Sequence, residues 1–475
     1  MLPKHAPQTA MNGVRPAFII GLFVSTIFLL TFVCGRSMAA ETPRPNLIFL
    51  LTDDQRFDAL GSMGNRIIQT PRLDRLAAAG VVFDNAFCTT SICATSRASF
   101  LTGQYAVRHG IDDFATPLSA EQFEQTFPAL LRGAGYRTAF VGKWGLGGPL
   151  PRERYDFFDG FSGQGRYFDK EDPHHLTDKL AQRALRFLDT CEGGQPFCLQ
   201  VSFKAAHCQD GAAWQFQHAP RFQSTYADVT IPLPVTATSE DFAALPEFLQ
   251  NSEARHRWQV RFADEAMFQK SVKDYYRLIT GVDEAVGRLV EKLRQRRLAD
   301  NTVIVFTSDN GFYLGEHGLA GKWFMHEESI RLPLLVFDPR LPAERRGARV
   351  DRMALNIDVA PTLLDLAGVE VPETVQGRSL APLLSGEAPA WRGEFFYEHR
   401  FRHAGIPRNE GVRGERFKYV RYLDQPAANA EHPYEELFDL QSDPHERQNL
   451  AARPEHSAEL AEMRERWRDL RAAAE

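Results

Sequence analysis

Leu47-Ile48-Phe49-Leu50-Leu51 is an uninterrupted apolar run that ends in Thr52-Asp53-Asp54. A strand with one wet face alternates apolar and polar residues. Five apolar residues in a row describe a strand covered on both faces, as in a parallel sheet with helices above and below it. Two carboxylates follow at its C-terminal end. Neighbouring carboxylates repel unless a cation lies between them, and the C-terminal ends of strands are where open α/β sheets bind ligands. On this segment alone, a helix N-cap with a solvated neighbour is the other reading.

The same pattern recurs along the chain. Thr302 to Thr307 is a second buried strand, ending in Ser308-Asp309-Asn310-Gly311. Thr138 to Val141 ends in Gly142-Lys143-Trp144-Gly145-Leu146-Gly147, and Leu199 to Phe203 runs into Lys204-Ala205-Ala206-His207. Val81-Val82-Phe83 leads into a turn and a short helix, Cys93-Ala94-Thr95-Ser96-Arg97-Ala98-Ser99-Phe100-Leu101-Thr102-Gly103. Ser96 is a candidate cap for that helix. Arg97 falls in its first turn, where the dipole disfavours a cation, so an anion is expected beside it. A thiol at a helix N-terminus next to arginine is in a setting that makes it reactive.

Helical patterns separate these strands: Pro71 to Ala79 closed by Gly80, Phe127 to Arg132, Leu176 to Leu188 and Asp274 to Leu298. The alternation predicts an α/β fold, a mainly parallel sheet sandwiched by helices. Residues 209–271 are polar with weak periodicity and read as an insertion or lid. Beyond Leu384 short strand-like pieces precede a charged helix, predicting a smaller α+β subdomain on an antiparallel sheet over 385–475, behind a catalytic domain spanning 40–384.

The chain has 475 residues, 44% of them hydrophobic and 24% charged, enough for a large core. A net charge of -6 provides no general basic field, so nucleic acid is not an expected partner. Lys4 and Arg15 precede an uncharged apolar run from Ala17 to Cys34, followed by Ser37-Met38-Ala39. This reads as a signal peptide over 1–39 and export to the periplasm or beyond, with no membrane association after cleavage; an uncleaved anchor is the alternative. Of six cysteines, Cys191 and Cys198 flank a turn and form a candidate disulfide.

Asp53, Asp54, Asp309 and Asn310 offer oxygen ligands that suit Ca²⁺ or Mg²⁺, and no Cys/His spacing suggests zinc. Arg97, Lys143, His207 and Lys322 bring positive charge or donors to the same strand ends. A metal with convergent cations describes a pocket for a tetrahedral anionic ester, and so hydrolysis or transfer of a sulfate or phosphate ester.

The Cys93–Gly103 segment resembles the sulfatase signature, Cys-x-Pro-Ser-Arg-x-x-x-Leu-Thr-Gly. The likeness extends through Leu51-Thr52-Asp53-Asp54-Gln55, Gly142-Lys143-Trp144, Ser202 to His207, Ser308-Asp309-Asn310-Gly311, Gly321-Lys322-Trp323, Arg331-Leu332-Pro333 and Glu436 to Leu440 with Asp443-Pro444. The resemblance implies the alkaline-phosphatase-like fold with a small C-terminal subdomain. It also implies oxidation of Cys93 to formylglycine by a dedicated maturation enzyme, after which one hydroxyl of the hydrated aldehyde attacks sulfur and the other expels sulfate. Asp53, Asp54, Asp309, Asn310 and modified Cys93 would hold the metal, usually Ca²⁺. Asp309 would also activate the attacking hydroxyl, and Arg97 would stabilise it. Lys143, His207 and Lys322 would bind sulfate, with His207 or Lys322 protonating the leaving oxygen.

Two positions depart from the family. Thr95 stands where the signature has proline, which the maturation machinery commonly reads. Gly145 stands where the family often has the histidine that helps expel sulfate; His317 is a candidate replacement. The implied substrate is a sulfated carbohydrate, with Trp214, Phe216 and Tyr226 available for stacking and Glu398, His399, Arg400, Arg402 and His403 as a polar cluster in the small subdomain. The alternatives are a phosphate or phosphonate monoester hydrolase of the same superfamily and a catalytically weak protein that binds sulfated glycans.

Overall fold

The structure is a computed structural model that describes residues 43–426 and 433–475; the expected signal peptide lies outside them. The strands are β1 (Asn46–Asp53), β2 (Val81–Phe87), β3 (Arg137–Lys143), β4 (Phe157–Phe161), β5 (Phe197–Ala206), β6 (Thr302–Ser308), β7 (Tyr313–Leu314), β8 (Ala320–Gly321), β9 (Arg331–Phe337), β10 (Ala348–Val350) and β11 (Ala354–Leu355). Apart from the β7–β8 ribbon they form one sheet, in the order β10-β2-β9-β6-β1-β5-β3-β4, with β11 beside β2. Pairing is parallel except at β9, which runs against β2 and β6.

β1 sits in the middle, between β5 and β6. Its side chains alternate between two cores. Leu47, Phe49 and Leu51 join Val303 and Val305 on one side. Ile48 and Leu50 join Ile304 and Phe306 on the other. The unbroken apolar run is therefore the pattern that two-sided burial demands, and each such side chain stabilises the fold by about 1.5–3 kcal/mol.

Helices Pro71–Ala79, Leu176–Asp189 and Glu265–Gln295 cover one face. Cys93–Thr102, Phe127–Gly133 and Val359–Leu366 cover the other. The long helix starts earlier than Asp274 because Asp264 caps it, its side chain accepting from the Met267 N–H at 2.8 Å, and Phe268 and Val272 extend its buried stripe. The stretch before it holds three short helices, Ser239–Ala244, Glu247–Gln250 and Glu253–Arg261. It also buries Phe216 and Tyr226, which pack in the core and cannot stack on a sugar. Trp214 is only partly covered, but its Nε1 donates to Asp274 at 2.6 Å and Lys270 lies over its ring.

The last part of the chain forms an antiparallel sheet of β12 (Glu394–His399), β13 (Asn409–Gly414), β14 (Phe417–Pro426) and β15 (Pro433–Asp439). Leu460, Met463 and Trp467 of the helix Ser457–Ala474 pack on it. Glu398 and His399 are buried in this sheet, which leaves Arg400, Arg402 and His403 as the exposed part of the expected polar cluster.

The expected disulfide is absent: Cys191 and Cys198 are both free. Cys198 points from β5 into one core, whereas Cys191 packs in the other and contacts the Phe187 carbonyl at 3.4 Å. The sheet itself separates them.

The parallel register brings the strand ends level. Thr52 lies opposite Ser308, Asp53 opposite Ala206, and Gly142 opposite Ser202. The clusters that follow these residues must therefore meet along one edge of the sheet.

Candidate active site

They meet around Cys93. Its Sγ accepts from Lys322 Nζ at 2.9 Å and lies 3.4 Å from Asp53 Oδ1. One ligand atom from each of Asp53, Asp54, Cys93 and His207 falls within 4.8 Å of the others. Lys143 pairs with Asp53, and Lys322 with Asp54. His207 Nε2 is 3.6 Å from Asp54 Oδ2. Arg97 spans the floor: Nε donates to Asp309 Oδ2 at 2.9 Å, Nη2 to Asp53 Oδ2 at 3.1 Å and Nη1 to the Lys143 carbonyl at 3.0 Å. The anion expected beside Arg97 is thus a pair of carboxylates. None of the nine predicted site residues is more than 4% exposed.

Local backbone places these groups. The helix Cys93–Thr102 is flanked by Ile92, with no side-chain cap, and closed by Gly103 at φ 68. Ser96 is therefore inside the helix rather than at its cap. Its Oγ donates to the Asp309 carbonyl at 2.5 Å, tying the helix to the end of β6. Asp54 adopts a left-handed φ of 58, which aspartate tolerates better than most residues. Tyr275 of the long helix holds that turn by donating to the Asp54 carbonyl at 2.7 Å.

Three carboxylates face three cations in this buried space. Burial alone raises the Asp53 carboxyl, but the charges led by Lys143, with Arg97 and Lys322, outweigh it and hold it well below the usual range. Asp309 moves the other way, to about 6, through burial and the charge of Asp53. Burial lowers the Lys322 ammonium, but Asp54 leads a group of anions that lifts it well above its ordinary value. Burial drives the His207 ring towards the neutral form. Its Nδ1 lies 2.6 Å from the Cys208 carbonyl, which can only accept, so Nδ1 carries the hydrogen and Nε2 faces the site as an acceptor. Burial, then Asp53, pushes the Cys93 thiol up to about 12, so it is a poor nucleophile at neutral pH.

The donor set fits a hard divalent cation. Asp53, Asp54 and Asp309 are acidic oxygen donors, and Asn310 contributes a buried Oδ1 with no hydrogen-bond partner among the described residues while its Nδ2 donates to Asp54 Oδ1 at 2.6 Å. An orphaned buried carbonyl oxygen among carboxylates is what a Ca²⁺ or Mg²⁺ ligand looks like without its ion.

Several supporting residues carried no motif signal. Gln164 accepts from Lys143 Nζ at 2.6 Å, and Tyr167 donates to the His207 carbonyl at 2.5 Å. Ser202 donates to the Lys143 carbonyl at 2.7 Å and also contacts Arg97. Only Ser202, inside β5 and in the stretch Ser202 to His207 that resembles the family, has a sequence cue.

His317 is not a member of this group. It stacks on His326 with ring centroids 4.7 Å apart and makes no hydrogen bond to the nine site residues. The space at Gly145 is taken instead by Arg97. A Cβ on Gly145 would lie 2.6 Å from Arg97 Cδ, and its φ of 80 disfavours any side chain. Replacing Gly145 by histidine should therefore displace Arg97 rather than add a base. We expect Gly145→His to lose at least about 1–3 kcal/mol of stability and to slow turnover, as thermal unfolding and kcat would show. A gain in kcat would contradict this.

A doubly wound sheet with strand-end carboxylates, buried cations and a buried cysteine at a helix N-terminus defines a hydrolase of tetrahedral anionic esters with the alkaline-phosphatase-like fold. The sulfatase family model matches residues 45–369, and a model described as the C-terminal part of N-sulphoglucosamine sulphohydrolase matches 315–473. The chain is 32% identical to an N-acetylglucosamine-6-O-sulfatase of Bacteroides thetaiotaomicron, over 90% of this chain and 87% of that protein. A solved structure in complex with its substrate D-glucosamine-2-N,6-O-disulfate superposes with a TM-score of 0.81 at 29% identity, covering 91% of this chain and 98% of that one. A phosphonate monoester hydrolase of Agrobacterium radiobacter shares the fold at a TM-score of 0.74 and 22% identity, covering 91% of this chain and 96% of that one. The chain belongs to the sulfatase family and is a sulfuric ester hydrolase.

Proposed function

We propose that this protein is an exported enzyme that removes the sulfate ester of a sulfated carbohydrate, with an amino sugar 6-sulfate as the leading substrate. The observation that carries this reading is the convergence of Arg97, Lys143, His207 and Lys322 with three carboxylates on Cys93, in a chain similar along its length to an N-acetylglucosamine-6-O-sulfatase. Residues 1–39 are the export signal, 209–271 build the wall over the site, and 385–475 form the accessory subdomain.

Asp53, Asp54, Asp309, Asn310 and the modified residue at 93 would hold Ca²⁺, with Mg²⁺ as the other candidate. The cation supplies charge stabilisation to the transition state, and formylglycine at position 93, made by a maturation enzyme, supplies an oxygen nucleophile in place of a protonated thiol. The rest is the work of the chain's own side chains. Lys143, His207 and Lys322 bind the sulfate oxygens. Lys322 is a cation in the resting site, so its Nζ can give its proton to the leaving oxygen. His207 binds the sulfate oxygens through Nε2 only once that nitrogen carries a proton, since its Nδ1 hydrogen is given to the Cys208 carbonyl. Asp309 takes a proton at Oδ1 or Oδ2 from the attacking group, while Arg97 keeps its orientation.

The test is hydrolysis of N-acetylglucosamine 6-sulfate against N-acetylglucosamine 6-phosphate by one preparation, with peptide mass spectrometry at Cys93. Faster phosphate release would favour the phosphate and phosphonate alternative. An unmodified thiol in protein from its native host, with sulfated-glycan binding but no turnover, would favour the binding alternative.

A further inference from the structure

The floor of the site is buried, but one acidic side chain beside it is not. Asp210 is 45% exposed at its side chain, and one of its carboxylate oxygens lies within 4.8 Å of a His207 ring nitrogen. All its hydrogen bonds fall on Oδ1: from Arg261 Nη2 at 2.8 Å, from Cys208 Sγ at 3.2 Å and from Arg257 Nη1 at 3.4 Å. Oδ2 has no partner among the described residues. Arg261 is a fixed support, 2% exposed and held by Gln215 Oε1 at 2.7 Å.

Arg257 comes from the same short helix, Glu253–Arg261. Its Nε donates to Glu253 Oε1 at 2.8 Å, and its guanidinium lies over the Trp323 ring at 4.9 Å, one residue from Lys322. The side chain is 26% exposed, and Nη2 has no partner among the described residues. The helix start is anchored in turn, because the Glu253 N–H donates to the Gly405 carbonyl at 2.8 Å.

These pairings leave one carboxylate oxygen of Asp210 and one guanidinium nitrogen of Arg257 unused. Here buried Arg261 already neutralises Asp210 through Oδ1, and Glu253 already holds Arg257. The half-exposed ends, one acceptor and one donor, are surplus to the fold and stand beside His207 and Lys322. We propose that Asp210 and Arg257 determine specificity by binding two neighbouring free hydroxyls on the sulfated sugar ring. One hydroxyl donates to Asp210 Oδ2, and the next accepts from Arg257 Nη2. The carboxylate also selects against a second anionic group at that point of the ring. This rests on the carbohydrate reading above.

The experiment compares kcat/KM for N-acetylglucosamine 6-sulfate with that for 4-nitrophenyl sulfate, which has no sugar hydroxyl, in the wild type, Asp210→Ala, Asp210→Asn and Arg257→Met. Binding of N-acetylglucosamine is measured on the same proteins by calorimetry. The sugar-to-aryl ratio should fall about 10- to 100-fold in Asp210→Ala, mainly through KM, because a hydrogen bond to a charged group is lost. Arg257→Met should show a similar loss, and Asp210→Asn, which keeps the shape and the Arg261 contact, a smaller one. Weaker N-acetylglucosamine binding should accompany each loss. An unchanged ratio, or a parallel fall on both substrates with unchanged sugar affinity, overturns the proposal. A wild type that hydrolyses the aryl sulfate but no sugar sulfate defeats the carbohydrate reading and this proposal together. A wild type that prefers the sugar sulfate, with variants of unchanged ratio, defeats this proposal alone.

Discussion

Cys93→Ala should lower turnover by about 10⁴-fold or more while leaving the protein folded. Cys93 is fully buried, and its Sγ packs between Lys322 and Asp53, so truncation removes one small polarisable atom from a well-filled space. The expected stability loss is roughly 1–2 kcal/mol, offset in part because Lys322 keeps Asp54 as its partner. The catalytic loss has a different origin. In the proposed mechanism Asp309, Arg97, Lys143, His207 and Lys322 bind, orient and move protons, and only position 93 supplies the attacking oxygen. The measurement is kcat on an aryl sulfate with thermal unfolding of the same sample. Residual turnover above a hundredth of wild type would mean that position 93 is not the nucleophile. Cys93→Ser separates the roles further: it keeps a hydroxyl, but one that has not been oxidised. If it is as inactive as Cys93→Ala, the modification rather than the presence of an oxygen atom is required.

Much of this site is legible in the sequence, for a physical reason. A parallel sheet covered on both faces writes its central strands as apolar runs such as Leu47–Leu51, and it exposes one edge where polar residues must follow the runs directly. Asp53, Asp54, Asp309, Asn310, Lys143 and His207 are each adjacent to a run and so announced themselves. What was not legible comes from elements without that grammar. Gln164 and Tyr167 lie in a loop, and Tyr275 sits on a long helix where an aromatic residue reads equally well as core. Their contacts with Lys143, His207 and Asp54 span 21, 40 and 221 residues of chain. The start of the long helix was missed because Asp264 caps it inside a polar stretch. The Cys191–Cys198 pairing failed because spacing along the chain does not reveal that the two thiols face opposite sides of a sheet. Gly145 could be read only as a departure; that Arg97 occupies its missing side chain's volume is a fact of packing.

Asp309→Ala should lose both the divalent cation and activity, with turnover falling by about 10³-fold or more. The carboxylate is shared. Oδ1 accepts from the Asp54 N–H at 3.2 Å, and Oδ2 accepts from Arg97 Nε at 2.9 Å. Removing it shifts the balance from three carboxylates against three cations to two against three, which disfavours a divalent ion by charge alone. It also frees Arg97 to close on Asp53, its remaining partner at 3.1 Å, and so to take up the oxygens a cation needs. Asp309→Asn tests the charge separately from the shape: it can still accept from the Asp54 N–H but not balance Arg97, so it should retain the fold and still bind the ion weakly. The readouts are metal content of the purified variants by elemental analysis and the shift in unfolding temperature on adding Ca²⁺. Wild type should be stabilised by Ca²⁺ in proportion to its occupancy, Asp309→Asn less, and Asp309→Ala not at all. Full metal stoichiometry in Asp309→Ala, with activity lost, would remove Asp309 from the ligand set and leave it the role its carboxyl near 6 already suits, that of the proton acceptor.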